Sequence, residues 1–244
     1  MGAQLVEIGN FSFRYRGYML PVAVVLLLIP SPDLAIDCGT VGWIGLCFGL
    51  YGQAIRIGTI GFDYIIRGGK DHKVYAEKLV QGGAYSLVRN PMYVGNFFLL
   101  IGLAFASDSW LFVLVGVPLS LFMHRAIIAA EENFLRNKFG AEFDHYAATV
   151  PRWVPKLSAW GKAFGGMHFN WTRVLAKEYF TPFDYLAAVC IVIAVNLWAK
   201  DRTDDHPMLF ALMIFLVALR LVLYYFGNRL RKKEQAAAAA AQGQ

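Results

Sequence analysis

The chain has 244 residues, 57% of them apolar and 16% charged, with a formal net charge of +6. Soluble domains carry about 25% charged residues, so this composition excludes an ordinary cytosolic domain and points to the bilayer. The three cysteines, Cys38, Cys47 and Cys190, make no disulfide framework and read as small buried hydrophobes.

Residues 1–17 form a short amphipathic lead-in. Apolar runs then occupy residues 18–30, 40–60, 92–106, 110–128, 183–199 and 208–226. A hydrocarbon core takes about 20 helical residues to cross. The second, fourth and sixth runs reach that length, and the first and third borrow flanking residues. The expectation is an all-α, polytopic membrane protein of six transmembrane helices. The first run ends in "IPSPDLAID", without a small-residue cleavage site, and is read as a retained helix rather than a signal peptide.

Residues 61–90 form a polar loop long enough to be functional. The third and fourth runs make a tight hairpin turning through "SDS". A second polar stretch, 136–181, is rich in aromatic and basic residues and is expected on the inner membrane surface. Trp153, Trp160 and Trp171 are read as its interfacial anchors. The last two helices make a second hairpin through "KDRTDDHP", and the tail "EQAAAAAAQGQ" is low complexity. The expected organisation is a two-helix membrane segment (1–60), a core carrying the chemistry (61–155), an interfacial segment (156–182), a second membrane hairpin (183–233) and the tail (234–244).

The basic residues orient the helices. With the N-terminus in the cytoplasm, 20 of the 23 Lys and Arg residues fall on the cytoplasmic side, only Lys200 and Arg202 on the other, and Arg220 inside the last helix. Positive loops stay inside, so both termini are expected there. A basic inner face suits anionic lipid headgroups, and nucleic acid is not expected as a partner. Arg220 is costly inside a span unless it snorkels or is paired. Snorkelling to the cytoplasmic side is the expectation, with contact to a lipid phosphate as the sharper alternative.

In the second helix, Gly42, Gly45, Gly49 and Gly52 share one face. They are read as a groove for close packing of a neighbouring helix.

The polar residues at the cytoplasmic ends of the third and fourth helices carry the chemistry. "RNPMY" opens the third: Pro91 suits the first turn and Asn90 the N-cap. Gly82 and Gly83, just before, permit backbone geometry for wrapping a bound molecule. In "HRAIIAAEENFL", closing the fourth, the adjacent Glu131 and Glu132 read first as a helix emerging into water. Opposite the mouth from Arg89 to Tyr93 they read otherwise. An acid, an arginine and a helix N-terminus would converge there on a ligand carrying both an ammonium and a carboxylate. His124 and His145 flank this site, and no spacing suggests a metal.

"LVQGGAYSLVRNPMYVGN" followed by "EENFLRNKFGAEFDHYAATVPRWVP" resembles the isoprenylcysteine carboxyl methyltransferase and phospholipid methyltransferase superfamily. That family shows a Gly-x-Tyr, an Arg-His-Pro-x-Tyr, a Glu-Glu before Phe-Gly-x-x-Tyr-x-x-Tyr and a closing Val-Pro-x-x-x-Pro, and the likeness covers roughly residues 70–155. It implies an integral-membrane enzyme that methylates with S-adenosylmethionine from a cytoplasm-facing pocket, its core being residues 61–155. Carried over by position, the cofactor contacts implied are Lys70, Glu77, Lys78, Leu79, Val80, Tyr85, Asn90, Pro91, Met92, Tyr93 and Glu131. Arg125 and Glu132 are the candidate catalytic residues.

Two departures bear on the acceptor. Asn90 stands where the family has histidine and cannot titrate near neutral pH. Ile127 stands where prenylcysteine enzymes place an arginine, and Arg125 is the nearest substitute. A lipid or lipid-like acceptor bearing a carboxylate, amine or thiol is therefore expected. Two alternatives stand beside it: a reductase, since sterol reductases resemble this family, although the chain lacks a dinucleotide glycine fingerprint, and a non-enzymatic membrane-binding protein of the same shape.

Overall fold

The computed structural model describes residues 2–16, 25–27, 29–34, 38–62, 74, 76–178, 181–199, 207–208, 210–222 and 224–225. Every described element is helical. In chain order they are α1 (Ala3–Tyr15), α2 (Cys38–Phe62), the one-turn α3 (Ala84–Leu87), α4 (Pro91–Ala106), α5 (Phe112–Phe139), α6 (Ala141–Thr149), α7 (Trp160–Ala163), α8 (Trp171–Glu178), α9 (Thr181–Ala199) and α10 (Phe210–Val222). Lys70, most of the first apolar run and the alanine-rich tail lie outside the described residues.

Two described helices, α5 and the 18 residues Thr181–Trp198 of α9, have both the length and the apolar character to cross a bilayer. The helices α4 and α10 are apolar but shorter. Helix α2 runs for 25 residues but carries Gln53 and Arg56 in its second half.

The glycines of α2 do pack a neighbour. A Cβ at Gly52 would stand 2.6 Å from the Gly95 carbonyl oxygen, and one at Gly102 would stand 2.7 Å from the Gly45 carbonyl oxygen. Each helix spaces its pair by two turns, so both pairs fall on one antiparallel seam between α2 and α4. Gly49 faces the Tyr185 ring of α9 instead, and the Tyr185 hydroxyl donates to the Gly45 carbonyl at 2.8 Å. A Cβ added at Gly42 would meet no described atom within 4 Å, so three of the four glycines make close approaches.

Helix α5 opens on a π-helical turn, Phe112–Gly116, directly before Pro118. Proline has no N–H to return to the preceding turn, and a wider turn absorbs the loss. The helix runs four residues past Leu135 and stops at Gly140, whose φ of 53° is a left-handed conformation that L side chains resist. Seven consecutive residues, Ala126 to Glu132, are buried. A helix buried all round must have neighbours on every side. Helix α1 supplies the unexpected one. It crosses α5 at Gly9, where a Cβ would collide with the Ala126 carbonyl and stand 2.9 Å from Ala130 Cβ. The lead-in is thus a packed helix.

At the far end, the "SDS" turn is clasped from two sides. Leu34 N–H donates to Asp108 Oδ1 at 2.9 Å, and Asn196 Nδ2 donates to the Ser107 carbonyl at 2.6 Å. Two readings of single residues change. Cys190 is buried, but Cys47 is exposed on α2. Arg220 does not simply snorkel: its guanidinium pairs with Asp184 of α9, with Nη2 at 3.3 Å from Oδ2. The facing helix supplies a carboxylate partner, which lowers the cost of a charge on an apolar helix.

Candidate active site

The loop before α4 is sewn to the end of α5, to α6 and to residues 150–156 by hydrogen bonds to backbone carbonyls. Arg89 N–H donates to the Pro151 carbonyl at 2.9 Å, and Lys156 N–H donates to the Leu87 carbonyl at 2.9 Å. The Tyr146 hydroxyl donates to the Tyr85 carbonyl at 2.8 Å, and Lys138 Nζ reaches the Ala76 carbonyl at 2.5 Å. Under these bonds lies an apolar cluster of Ala76, Leu135, Phe143 and Tyr146, with Leu79, Phe134 and Val150 packed against it. Gly83, at φ 55°, turns the chain into α3, so the glycine geometry is used to fold the loop onto this cluster.

This scaffold brings the acidic pair to the mouth of α4. The Tyr93 hydroxyl donates to Glu131 Oε1 at 2.9 Å. Glu132 lies between two guanidinium groups: Arg89 Nη1 is 3.3 Å from its Oε1, Arg152 Nε donates to the same oxygen at 3.1 Å, and Arg152 Nη2 holds Oε2. Both glutamates are buried, at 3% and 2% exposure. The solvated reading of the pair is therefore wrong for this helix, because α1, α4 and residues 150–156 surround the segment. The Tyr93 ring also meets the His124 ring edge-on, with centroids 5.8 Å apart. His124 Nδ1 lies 2.7 Å from the Ser120 carbonyl. A carbonyl only accepts, so the ring proton sits on Nδ1 in that bond and Nε2 carries the lone pair.

The other candidates fall unevenly. Asn90 occupies the N-cap position of α4, but its side chain makes no cap bond. Its Nδ2 instead approaches the Arg152 carbonyl at 3.4 Å, and its own carbonyl accepts from Tyr93 N–H at 3.0 Å. Pro91 is buried and Met92 half-buried beside it. Tyr85 is 2% exposed and packs with Val80. Leu79 belongs to the apolar cluster, and Glu77 and Lys78 are exposed on the loop. Arg125 stands exposed on α5 and joins none of Tyr93, Glu131 or Glu132. Lys70 lies outside the described residues.

Arg152 is the residue that the sequence reading passed over, counting it only as a positive charge. Its place in "VPRWVP" was visible, but nothing in that spacing says that it folds back on a glutamate twenty residues earlier. The assembled site offers a buried carboxylate held by a phenol, a second carboxylate neutralised by two arginines, and an imidazole with a free nitrogen lone pair beside the phenol. Such a set can hold a cationic group at Glu131 while Glu132 keeps the two arginines in place.

A family model described as phospholipid methyltransferase matches residues 44–142. The chain is 31% identical over 152 residues to the nickel-cobalt-cadmium resistance protein NccN of Alcaligenes xylosoxydans xylosoxydans, covering 61% of this chain and 68% of that one. It is 32% identical over 157 residues to the cobalt-zinc-cadmium resistance protein CzcN of Cupriavidus metallidurans, with the same two coverages. It is 30% identical over 148 residues to the protein-S-isoprenylcysteine O-methyltransferase of Saccharomyces cerevisiae, covering 54% of this chain and 60% of the relative. No solved structure matches.

Proposed function

Because the chain belongs to the isoprenylcysteine carboxyl methyltransferase and phospholipid methyltransferase superfamily, we propose that it is a membrane methyltransferase. It uses S-adenosylmethionine and acts on a lipid or lipid-like acceptor. The observation that carries this reading is the bond between Tyr93 and Glu131, which joins the opening of α4 to the buried end of α5.

Bound S-adenosylmethionine supplies an activated methyl on a sulfonium. The chain's own residues then have little acid–base work to do, and in-line positioning provides most of the rate. Glu131, fixed by Tyr93, binds the cofactor's ammonium. The first turn of α4, from Asn90 to Tyr93, lines its polar end. Glu132 is a positioning residue: it draws Arg89 and Arg152 together and so fixes the loop against α4. Arg125, exposed one and a half turns before Glu131, meets an acidic acceptor. The site faces the cytoplasm, and the chain crosses the bilayer six times with both ends inside. The support for that orientation is the basic asymmetry of the sequence, which leaves only Lys200 and Arg202 on the other side.

Calorimetry of the full chain in detergent tests the reading. S-adenosylmethionine and its demethylated product should bind, and Glu131→Ala should abolish binding. A reduced nicotinamide cofactor binding instead would favour a reductase, and binding of neither would favour a non-enzymatic role. The acceptor is found by incubating a lipid extract with methyl-labelled S-adenosylmethionine and isolating the labelled product.

A second reading concerns the setting of the activity. The names of the two resistance relatives suggest a role in tolerance to divalent transition metals. Among the described residues, no group of three His, Cys, Asp or Glu side chains could hold a metal ion. The role would then run through a methylated membrane component. Deleting the gene and scoring growth on cobalt, zinc and cadmium salts tests it.

A further inference from the structure

A cleft of about 620 Å³ opens between α1 and the last third of α5. It lies apart from the contacts assigned above, since none of Tyr85, Asn90, Tyr93 or Glu131 lines it. Its volume falls in the range of small-molecule sites. Four polar side chains line it: Asn10 and Arg14 from α1, and Asn133 and Asn137 from α5. Each pair is spaced by four residues, so each forms a ladder along one helical face. Among the described residues, none of the four side chains has a hydrogen bond or ion pair. Arg14 is exposed at the cleft, and its guanidinium lies over the Tyr15 ring, 5.6 Å from the centroid.

The remaining walls are apolar, with Val6, Phe13, Val74 and Phe134 among them. The rim is apolar too. Ile8, Phe11 and Tyr15 are 41%, 65% and 39% exposed, and their spacing puts them on one stripe of α1. Phe11 and Tyr15 belong to both the stripe and the cleft lining. An amphipathic helix with such a stripe lies at the level of lipid headgroups. The cleft therefore joins a polar end to a lipid-facing mouth.

We propose that this cleft binds a phosphate-bearing amphiphile, its phosphate held by Arg14 and the three asparagine amides and its chain leaving along Phe11 and Tyr15. A guanidinium with several amide N–H donors suits a phosphate's oxygens. The same polar chemistry would accept a soluble phosphate ester, and the exposed stripe favours the lipid. The proposal stands whether or not the chain methylates.

Native mass spectrometry of the full chain in neutral detergent tests it. The probes are dioleoyl phosphatidylglycerol, the matching diacylglycerol, and inorganic phosphate. The expected result is one phosphatidylglycerol per chain, bound at least tenfold more tightly than diacylglycerol. Arg14→Ala and the double variant Asn133→Ala/Asn137→Ala should each weaken that binding about tenfold, a loss of about 1.4 kcal/mol. Lys162→Ala, exposed on α7, should not. Circular dichroism checks that the variants fold, and the asparagine pair gives a second test if Arg14→Ala does not. Inorganic phosphate binding as tightly as the lipid supports the polar ladders and assigns them to a soluble phosphate. Equal lipid binding by parent and folded variants overturns the proposal, and so does equal binding of phosphatidylglycerol and diacylglycerol.

Discussion

Tyr93 on α4 and Glu131 on α5 are joined by a hydrogen bond of 2.9 Å, although both helices read as apolar along most of their length. The bond fixes the Glu131 carboxylate at the α4 mouth, next to the Glu132 carboxylate that Arg89 and Arg152 hold. A hydrogen bond to a charged group contributes about 1.5–3 kcal/mol. Tyr93→Phe should therefore weaken binding of S-adenosylhomocysteine about tenfold or more, measured by calorimetry in detergent. Glu131→Gln keeps the shape and removes the charge, so it should cost more than Tyr93→Phe. Equal affinities for parent and Glu131→Gln would remove Glu131 from the cofactor site.

Glu132 makes a different prediction. Its carboxylate is buried between Arg89 and Arg152, whose side chains are 14% and 33% exposed. Removing one member of a buried ionic group strands the others, at a cost of about 3–5 kcal/mol. Glu132→Ala should lower the thermal unfolding midpoint strongly. Arg152→Ala should lower it less, because Arg89 stays with the carboxylate and Arg152 is partly hydrated. If Arg152→Ala proves the more damaging, the pairing does not organise this end of the molecule.

The seam between α2 and α4 gives a third. At Gly52 an added Cβ meets backbone, the Gly95 carbonyl oxygen at 2.6 Å, which cannot swing aside. Overpacking costs about 1–3 kcal/mol, and a branched side chain at a backbone contact belongs at or beyond the upper end. Gly52→Val should sharply reduce the yield of folded protein, measured by fluorescence-detected size exclusion. Gly42→Ala, with no described neighbour within 4 Å, should leave it unchanged.

What was legible in the sequence followed from local period. The glycine face of α2 shows in spacings of three and four residues, the α4–α5 hairpin in two apolar runs around a short polar turn, and the acidic pair as two adjacent glutamates closing an apolar run. The acids' burial did not show, since adjacent glutamates at a helix end are ordinarily wet, and these are covered by segments distant in sequence. Helix α1 looked like a lead-in because its closest approach to α5 is one glycine against two alanines, a signal too small to stand out, and only Gly9, Ser12 and Phe13 of it are buried. Arg56 was counted among the cytoplasmic charges, yet it sits within α2 and pairs with Glu178, 122 residues away. An arginine inside an apolar run needs a partner. That need was readable, but no spacing could name the partner.

The partner it finds yields the last prediction. Arg56 Nε donates to Glu178 Oε1 at 2.5 Å and Nη2 to Oε2 at 3.0 Å, while Gln53 Nε2 reaches Oε1 at 3.0 Å. Arg56 also bonds the Asn96 side chain of α4. Glu178 is 3% exposed and ends α8, so this group latches α8 to the α2–α4 pair. The latch is reinforced where Asn170 N–H bonds the Gly61 carbonyl at 2.9 Å. Breaking one side leaves a buried charge, whereas replacing both with apolar groups of similar size is often nearly neutral. Arg56→Met alone should cost about 3–5 kcal/mol and expose residues 164–178 to limited proteolysis. The double variant Arg56→Met/Glu178→Leu should recover part of that loss, leaving only Gln53 and Asn96 short of their bonds. A double variant no more stable than Arg56→Met would mean that the charges do more than satisfy each other, and that the glutamate itself is required at the foot of α2.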